Sequence, residues 1–272
     1  MTRVSIPADW PTDTWYGFQR HHFTIEGCEA WLVEPKFPCP DHRWTWCTQW
    51  AEAFVPRVGT VALLEHGCYH AHVDVFKFKG SPTGMTVMRK FQEQLVSLGL
   101  APKANLIGMS WGGFFSLRYA MTYPECVNAI YLDAPVCNAA DGHPSAADRL
   151  PDIIAQFGET QEQLQASRNN PVNAAEILAR ANFPIFAVIS GSDQAVYPPN
   201  NWDILEQRLQ AAGVELIPAT YEDVEEKQGG EILDTVCGGN MFVYRRGSYG
   251  HHPHGLENVT AILRFHWNSW EK

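Results

Sequence analysis

The stretch Asn105-Leu106-Ile107-Gly108-Met109-Ser110-Trp111-Gly112-Gly113 decides how the rest of the chain is read. It begins as a short apolar strand, passes through G-x-S-x-G, and continues as an apolar helix from Phe114 to Met121. This is the pattern of a nucleophile elbow, a sharp strand-to-helix turn with a serine at its tip. A strained turn needs small neighbours, which explains Gly108 and Gly112 on either side of Ser110. The geometry lifts the hydroxyl clear of the sheet. It also leaves the Trp111 backbone N–H at a helix N-terminus, where it faces a developing oxyanion. The alternative for the same residues is a glycine-rich turn with a buried serine.

A serine hydroxyl becomes an effective nucleophile only beside a base, and the base needs an acid to orient it. Behind an elbow of this kind the chain order is serine, then Asp or Glu, then His. Asp193 follows the apolar run Ile185 to Ile189, in Ser190-Gly191-Ser192-Asp193-Gln194-Ala195-Val196. It therefore falls just past the C-terminal end of a strand, where sites form on parallel sheets. Asp133, in Leu132-Asp133-Ala134-Pro135, ends another strand and competes for the role; Asp193 is preferred. The base is sought in Gly250-His251-His252-Pro253-His254-Gly255, between the last strand and the last helix. His251 is preferred, with His252 and His254 as competitors. His266 falls on the final helix and reads as a packed helix residue.

A second oxyanion donor must come from another loop. Glu65-His66-Gly67 invites that reading, but 43 residue steps separate Gly67 from Ser110, and a strand, a helix and a strand already occupy them. The loop then falls after the strand near Arg43 to Trp46, close to Cys47 and Thr48, where a backbone N–H would act. The expected oxyanion pair is thus Trp111 and Cys47.

Outward from this centre, strands are expected at Phe23 to Ile25, Ala30 to Val33, Arg43 to Cys47, residues 68–76, Ala129 to Leu132, Ile185 to Ile189 and Met241 to Tyr244. Helices are expected over Gln49 to Val58, around Met88 to Leu98 and over Trp202 to Ala212. A last amphipathic helix carries Leu256, Val259, Ile262, Leu263 and Trp270. This alternation predicts an α/β domain, a mostly parallel sheet with helices on both faces. Residues 136–182 are polar and rich in turn residues, and hold a helix capped at Thr160 with Gln163 three residues on. They read as a small cap insertion. Residues 214–238 read as a second excursion within one domain spanning 1–272.

The chain has 272 residues, 45% hydrophobic and 18% charged, enough for a sizeable core. Its formal net charge of −10, with no basic run, argues against nucleic acid or an anionic membrane as partner. Seven scattered cysteines without C-x-x-C suggest neither a disulfide framework nor a zinc ribbon. No apolar leader or spanning run is visible, so a cytoplasmic protein is expected. Nothing in the sequence fixes the oligomeric state.

Taken together, Gly108 to Gly113, Asp133-Ala134-Pro135, Asp193 with Val196 and Pro198, and Gly250 to His254 resemble the α/β-hydrolase superfamily. The resemblance is closest to bacterial serine esterases of the acyl- and carbohydrate-esterase type. Its motifs span residues 43–272, so the resemblance covers most of the chain. It implies a central sheet of about eight strands and a Ser–His–Asp mechanism with Ser110, His251 and Asp193. The substrate would be a small or medium carboxylic ester, and no cofactor or metal would be needed. Trp111, with Trp44 and Trp46, would be placed to stack on a sugar ring, unless these tryptophans belong to the core. The stretch from Asp193 to His251 is long for the family, in keeping with an extra segment at 214–238.

Two other readings compete. His70-Ala71-His72-Val73-Asp74 matches H-x-H-x-D on one strand face and, with His251, His252 and His254, suggests a metal-dependent hydrolase. Against it, Val75 stands where a further histidine belongs. The third reading is a non-catalytic binding protein that kept the fold.

Overall fold

The computed structural model describes residues 4–271. In chain order the elements are β1 (Thr12–Trp15), β2 (Phe18–Ile25), β3 (Cys28–Glu34), β4 (Trp44–Gln49), α1 (Thr60–Glu65), β5 (Tyr69–Val73), α2 (Pro82–Ser97), β6 (Ala104–Met109), α3 (Trp111–Thr122) and β7 (Val127–Asp133). There follow α4 (Leu150–Phe157), α5 (Gln161–Ala166), α6 (Ala175–Ala181), β8 (Ile185–Ser190), α7 (Trp202–Ala211), β9 (Leu216–Ala219), α8 (Gly230–Asp234), β10 (Met241–Arg246) and α9 (Thr260–Trp270).

Among the described residues the strands form one sheet, in the order β1-β2-β3-β5-β4-β6-β7-β8-β10-β9. The pairs β1–β2, β2–β3 and β3–β5 are antiparallel; all pairs from β5–β4 to the β9 edge are parallel. The parallel strands are buried on both faces, and successive residues feed opposite cores. Leu106, Ile130 and Leu132 join the core that holds Trp44, Phe91 and Phe114. Ile107, Met109, Ala129 and Tyr131 join the one that holds Phe186 and Phe265. That double burial is why these strands read as continuous apolar runs.

The chain runs from β4 outward to β5, then crosses back to lay β6 on the other side of β4. The C-terminal ends of β4 and β6 thus flank a topological switch point, where loops diverge and leave a crevice. Ser110 follows β6 there, and Trp50 follows β4.

Two expectations need correction. Gln49 ends β4, the residues from Trp50 to Val58 form turns and bends rather than a helix, and α1 begins only at Thr60. Pro56 lacks a donor and disfavours helical geometry at Val55, and Trp50 and Phe54 both adopt positive φ. The sheet has ten strands among the described residues, not about eight. The additions are the edges, β1 and β9. β9 arises within 214–238 and carries Pro218, which an edge strand tolerates.

The segment between β7 and β8 carries α4, α5 and α6. The capping box at α5 is formed: Gln163 N–H donates to Thr160 Oγ1 over 3.2 Å, and Thr160 N–H donates to Gln163 Oε1 over 2.8 Å. Asp141 ties the segment down by accepting from Asn200 and Asn201 over 2.9 and 2.8 Å. Its residues reach the helix behind Ser110: Phe157 packs at a ring separation of 6.5 Å from Phe114, and the Arg149 guanidinium lies 6.0 Å from the Trp111 ring. No helix among the described residues is long and apolar enough to cross a membrane.

Candidate active site

Ser110 sits at φ 51° and ψ −117°, between the last residue of β6 and the first of α3. A non-glycine residue at positive φ costs about 1–3 kcal/mol and persists only where its surroundings impose it. Here they do. Ser110 N–H donates to the Asp133 carbonyl over 3.0 Å, and its own carbonyl accepts from Gly113 and Val136 over 3.0 and 2.9 Å. The glycines have distinct tasks. A Cβ on Gly108 would lie 2.8 Å from the Gly112 carbonyl and 2.9 Å from Gly113 Cα. On Gly113 it would lie 2.3 Å from Pro135 Cβ, whereas on Gly112 the nearest atom, the Gln49 carbonyl oxygen, is 3.2 Å away. Gly108 and Gly113 therefore set the turn's close packing, and Gly112 less so. Ser110 keeps 9% of its surface exposed.

Asp193 lies in the turn after β8 and is buried. Its Oδ1 accepts from the N–H groups of Ala195 and Val196 over 2.8 and 2.9 Å, which holds the carboxylate in one orientation. Oδ2 is left for His251, whose Nδ1 lies 2.7 Å away. His251 Nε2 lies 3.1 Å from Ser110 Oγ. The tautomer that satisfies both neighbours carries its proton on Nδ1, donates to Asp193 and accepts from the Ser110 hydroxyl. Three residues distant in sequence thus meet where β6, β8 and β10 end.

The competing residues are accounted for separately. The Asp133 carboxylate is engaged elsewhere: it forms its own buried pair with His254, Nδ1 to Oδ1, at 2.7 Å. It also accepts from Gly255 N–H over 2.9 Å and from the Tyr131 hydroxyl over 3.0 Å, with Arg246 Nη2 at 3.4 Å. Burial pushes the Asp133 carboxyl up, but the His254 hydrogen bond and the Arg246 charge outweigh it and leave it below the ordinary range. Arg246 also donates to Ser190 Oγ and the Gly255 carbonyl over 3.1 and 2.8 Å. This cluster, which the sequence did not disclose, clamps the histidine loop to β7 and β8. His252 is exposed and stacks on Phe54 at 5.5 Å; His266 is fully buried in the core.

Cys47 is a correction. It lies within β4, in register with Ile107, and its carbonyl accepts from His72 Nδ1 over 2.7 Å. Burial pushes its thiol up to about 12. The backbone leaves the sheet two residues later, at Gln49 and Trp50, where Trp50 takes φ 63°. Gly112 packs directly on Gln49 there. The Trp111 N–H occupies the first position of α3, as expected. His66 caps α1, and Gly67 takes φ 91° against the Phe37 carbonyl, which makes that pair a structural turn.

Trp44 and Trp46 are fully buried and stacked on each other at 5.9 Å, so they belong to the core and reach no ligand. Trp111 is buried too, edge-on to Phe76 and Phe114. A cavity of about 1170 Å³ opens at the Gln49–Trp50 turn, and Ser110 is not among its lining residues. Trp10, Trp31 and Trp50 line it, with Glu29, Asp74 and the Gln49–Trp50 turn. Gln49 Oε1 is buried there without a protein partner. The sequence held no periodic signal for this wall, because its residues come from six separate segments.

His70 and His72 are each engaged locally, by the Thr45 hydroxyl at 2.8 Å and by the Cys47 carbonyl. Burial pushes His70 down to about 3 and lowers His72. Among the described residues, the group of three close enough to share one ion is His251, His252 and His254; His70, His72 and Asp74 do not join it.

No curated protein matches the chain in sequence. Among solved structures, it is similar to a candidate dipeptidyl aminopeptidase IV from Bacteroides ovatus, at 14% identity and a TM-score of 0.61, over 93% of this chain and 35% of that one. It is similar to Pyrococcus horikoshii acylaminoacyl peptidase, at 10% identity and TM-score 0.59, over 91% and 39%. A mutant of the esterase rPPE matches at 13% identity and TM-score 0.57, over 95% and 83%. The chain thus spans little more than a third of the two peptidases' length and most of the esterase's. The family described as alpha/beta hydrolase fold matches residues 73–243, the stretch that carries the elbow, β7, β8 and Asp193. With the switch-point crevice and the strained serine turn, this establishes that the chain belongs to the α/β-hydrolase family.

Proposed function

We propose that the protein is a serine esterase acting by acyl transfer through Ser110, His251 and Asp193. The observation that carries this reading is the continuous relay Ser110 Oγ, His251 Nε2, His251 Nδ1, Asp193 Oδ2, with separations of 3.1 and 2.7 Å at its two hydrogen bonds. Ser110 Oγ attacks the ester carbonyl carbon while His251 Nε2 takes the hydroxyl proton. Asp193 holds the Nδ1 proton in place and stabilises the imidazolium. The tetrahedral oxyanion is held by the N–H of Trp111 and by the turn after β4, where the N–H of Trp50 is the natural donor. Collapse expels the alcohol, which receives the proton from His251. Water, deprotonated by the same nitrogen, then releases the acid and restores Ser110. No step calls for a cofactor.

The substrate is a small or medium carboxylic ester. A sugar-linked ester suits the cavity walled by Trp10, Trp31 and Trp50, since flat aromatic faces match the apolar faces of sugar rings. The segment carrying α4 to α6 serves as the cap. Hydrolysis of acetyl and longer-chain esters, on sugars and on simple alcohols, tests both parts. Turnover that persists in Ser110→Ala would refute the mechanism, and equal rates on sugar and simple esters would refute the substrate class.

A further inference from the structure

Three histidines of one short loop, His251, His252 and His254, each present a ring nitrogen within 4.8 Å of those from the other two. Their rings are 4.8 to 5.0 Å apart, centroid to centroid. Two of them are already oriented as metal ligands usually are. His251 Nδ1 is hydrogen-bonded to Asp193, and His254 Nδ1 to Asp133, both at 2.7 Å. A carboxylate on one ring nitrogen fixes the tautomer and leaves the lone pair of Nε2 free to bind a cation. Serine catalysis uses one such pair. It does not require the second, nor the exposed third histidine beside them.

We infer that His251, His252 and His254 form an inhibitory site for a divalent transition-metal ion such as zinc. The ion takes the Nε2 lone pair of His251 that would otherwise accept the Ser110 proton. Three neutral imidazoles suit zinc, with water in the fourth position. Zinc–nitrogen bonds near 2.0–2.1 Å put tetrahedral ligand atoms about 3.4 Å apart, so nitrogens now within 4.8 Å of one another must close by up to about 1.4 Å. His252 is exposed and stands on a loop, which allows it. Binding forms three zinc–imidazole bonds, releases all but one of the hydrated ion's waters and breaks the Ser110–His251 hydrogen bond. The Nδ1 protons stay with their carboxylates, and no electron is transferred. The inhibition rests on His251 being the base; the ion site itself does not.

The test is zinc chloride titration of ester hydrolysis for wild type and His252→Ala, beside calorimetric titration of zinc into Ser110→Ala. Wild type should be inhibited, with activity restored by a chelator. Ser110→Ala should bind one ion. His252→Ala should hydrolyse at the wild-type rate without zinc, and need at least about tenfold more zinc for half-inhibition, since loss of a ligand costs no less than loss of its supporting partner. Equal zinc sensitivity in the two enzymes, or activity that requires zinc, would overturn the proposal. An inactive Ser110→Ala that binds no ion overturns it alone. A Ser110→Ala that still hydrolyses ester overturns the serine reading, and the inhibition with it.

Discussion

His254 Nδ1 lies 2.7 Å from Asp133 Oδ1, the same separation that joins His251 Nδ1 to Asp193 Oδ2. Two Asp–His pairs therefore stand side by side, their imidazoles 4.8 Å apart, and His251 is the one hydrogen-bonded to the serine. The difference lies in the strands that carry the acids. Asp133 ends β7 and faces a buried arginine, whereas Asp193 sits in the turn beyond β8, its other carboxylate oxygen held by backbone N–H groups.

The two acids should separate cleanly on mutation. Asp193→Asn leaves the packing intact but favours the wrong His251 tautomer, so kcat should fall by roughly 10⁴-fold with little change in Tm. Asp133→Asn strands the Arg246 charge in a buried site, which costs about 3–5 kcal/mol. Thermal melts and ester kinetics on both variants check this; a large Tm loss in Asp193→Asn with none in Asp133→Asn would reverse the assignment.

The histidines divide in the same way. His251→Ala should lower kcat/KM for a short activated ester by several orders of magnitude, because the hydroxyl loses its base. His252→Ala should stay within about threefold of wild type, since this exposed ring lacks a carboxylate partner and touches no reacting atom. Steady-state kinetics on the two proteins decide between them.

Alanine at the elbow glycines should rank by available space. Gly113→Ala sets a Cβ 2.3 Å from Pro135 Cβ and should destabilise by about 1–3 kcal/mol or more. Gly112→Ala meets its nearest neighbour at 3.2 Å and should be the milder change. Urea unfolding of the two variants measures the order.

Acid should destabilise the fold through the interior histidines. His266 is fully buried, neither ring nitrogen has a protein partner, and burial pushes it down to about 3. Its neutral form favours the folded state above the unfolded value near 6.5, and that contribution is lost as pH falls from about 6.5 towards 3. His266→Leu should flatten stability against pH by about 1.4 kcal/mol per pH unit in that window. Chemical denaturation at stepped pH tests it; an unchanged slope would mean that His266 is already charged in the native protein.

The elbow was legible in the sequence because its constraints are local: an apolar strand, two tight glycines and a helix within one short stretch. The positions of Asp193 and His251 were legible through chain order and strand ends, which are also nearly local. What was not legible depended on pairing across the sheet. Nothing near Asp133 announces that its carboxylate is occupied by His254, Tyr131 and Arg246 from other elements. The turn at Gln49–Trp50 looked helical because the apolar spacing was right, while Pro56 and two positive-φ residues decided otherwise. The edge strand β9 was hidden by Pro218, and Trp44 and Trp46 could not be told from ligand-facing tryptophans until the two cores were seen.

The most direct test of the central claim is covalent trapping. Ser110 Oγ should attack the phosphorus of a fluorophosphonate, expel fluoride and leave one phosphonyl group on the peptide that spans Gly108 to Gly113, read by intact-mass and peptide mass spectrometry. Labelling should vanish in Ser110→Ala and slow greatly in His251→Ala. A folded wild-type protein that takes up no label while hydrolysing ester, or a label that persists in Ser110→Ala, would contradict Ser110 as the nucleophile.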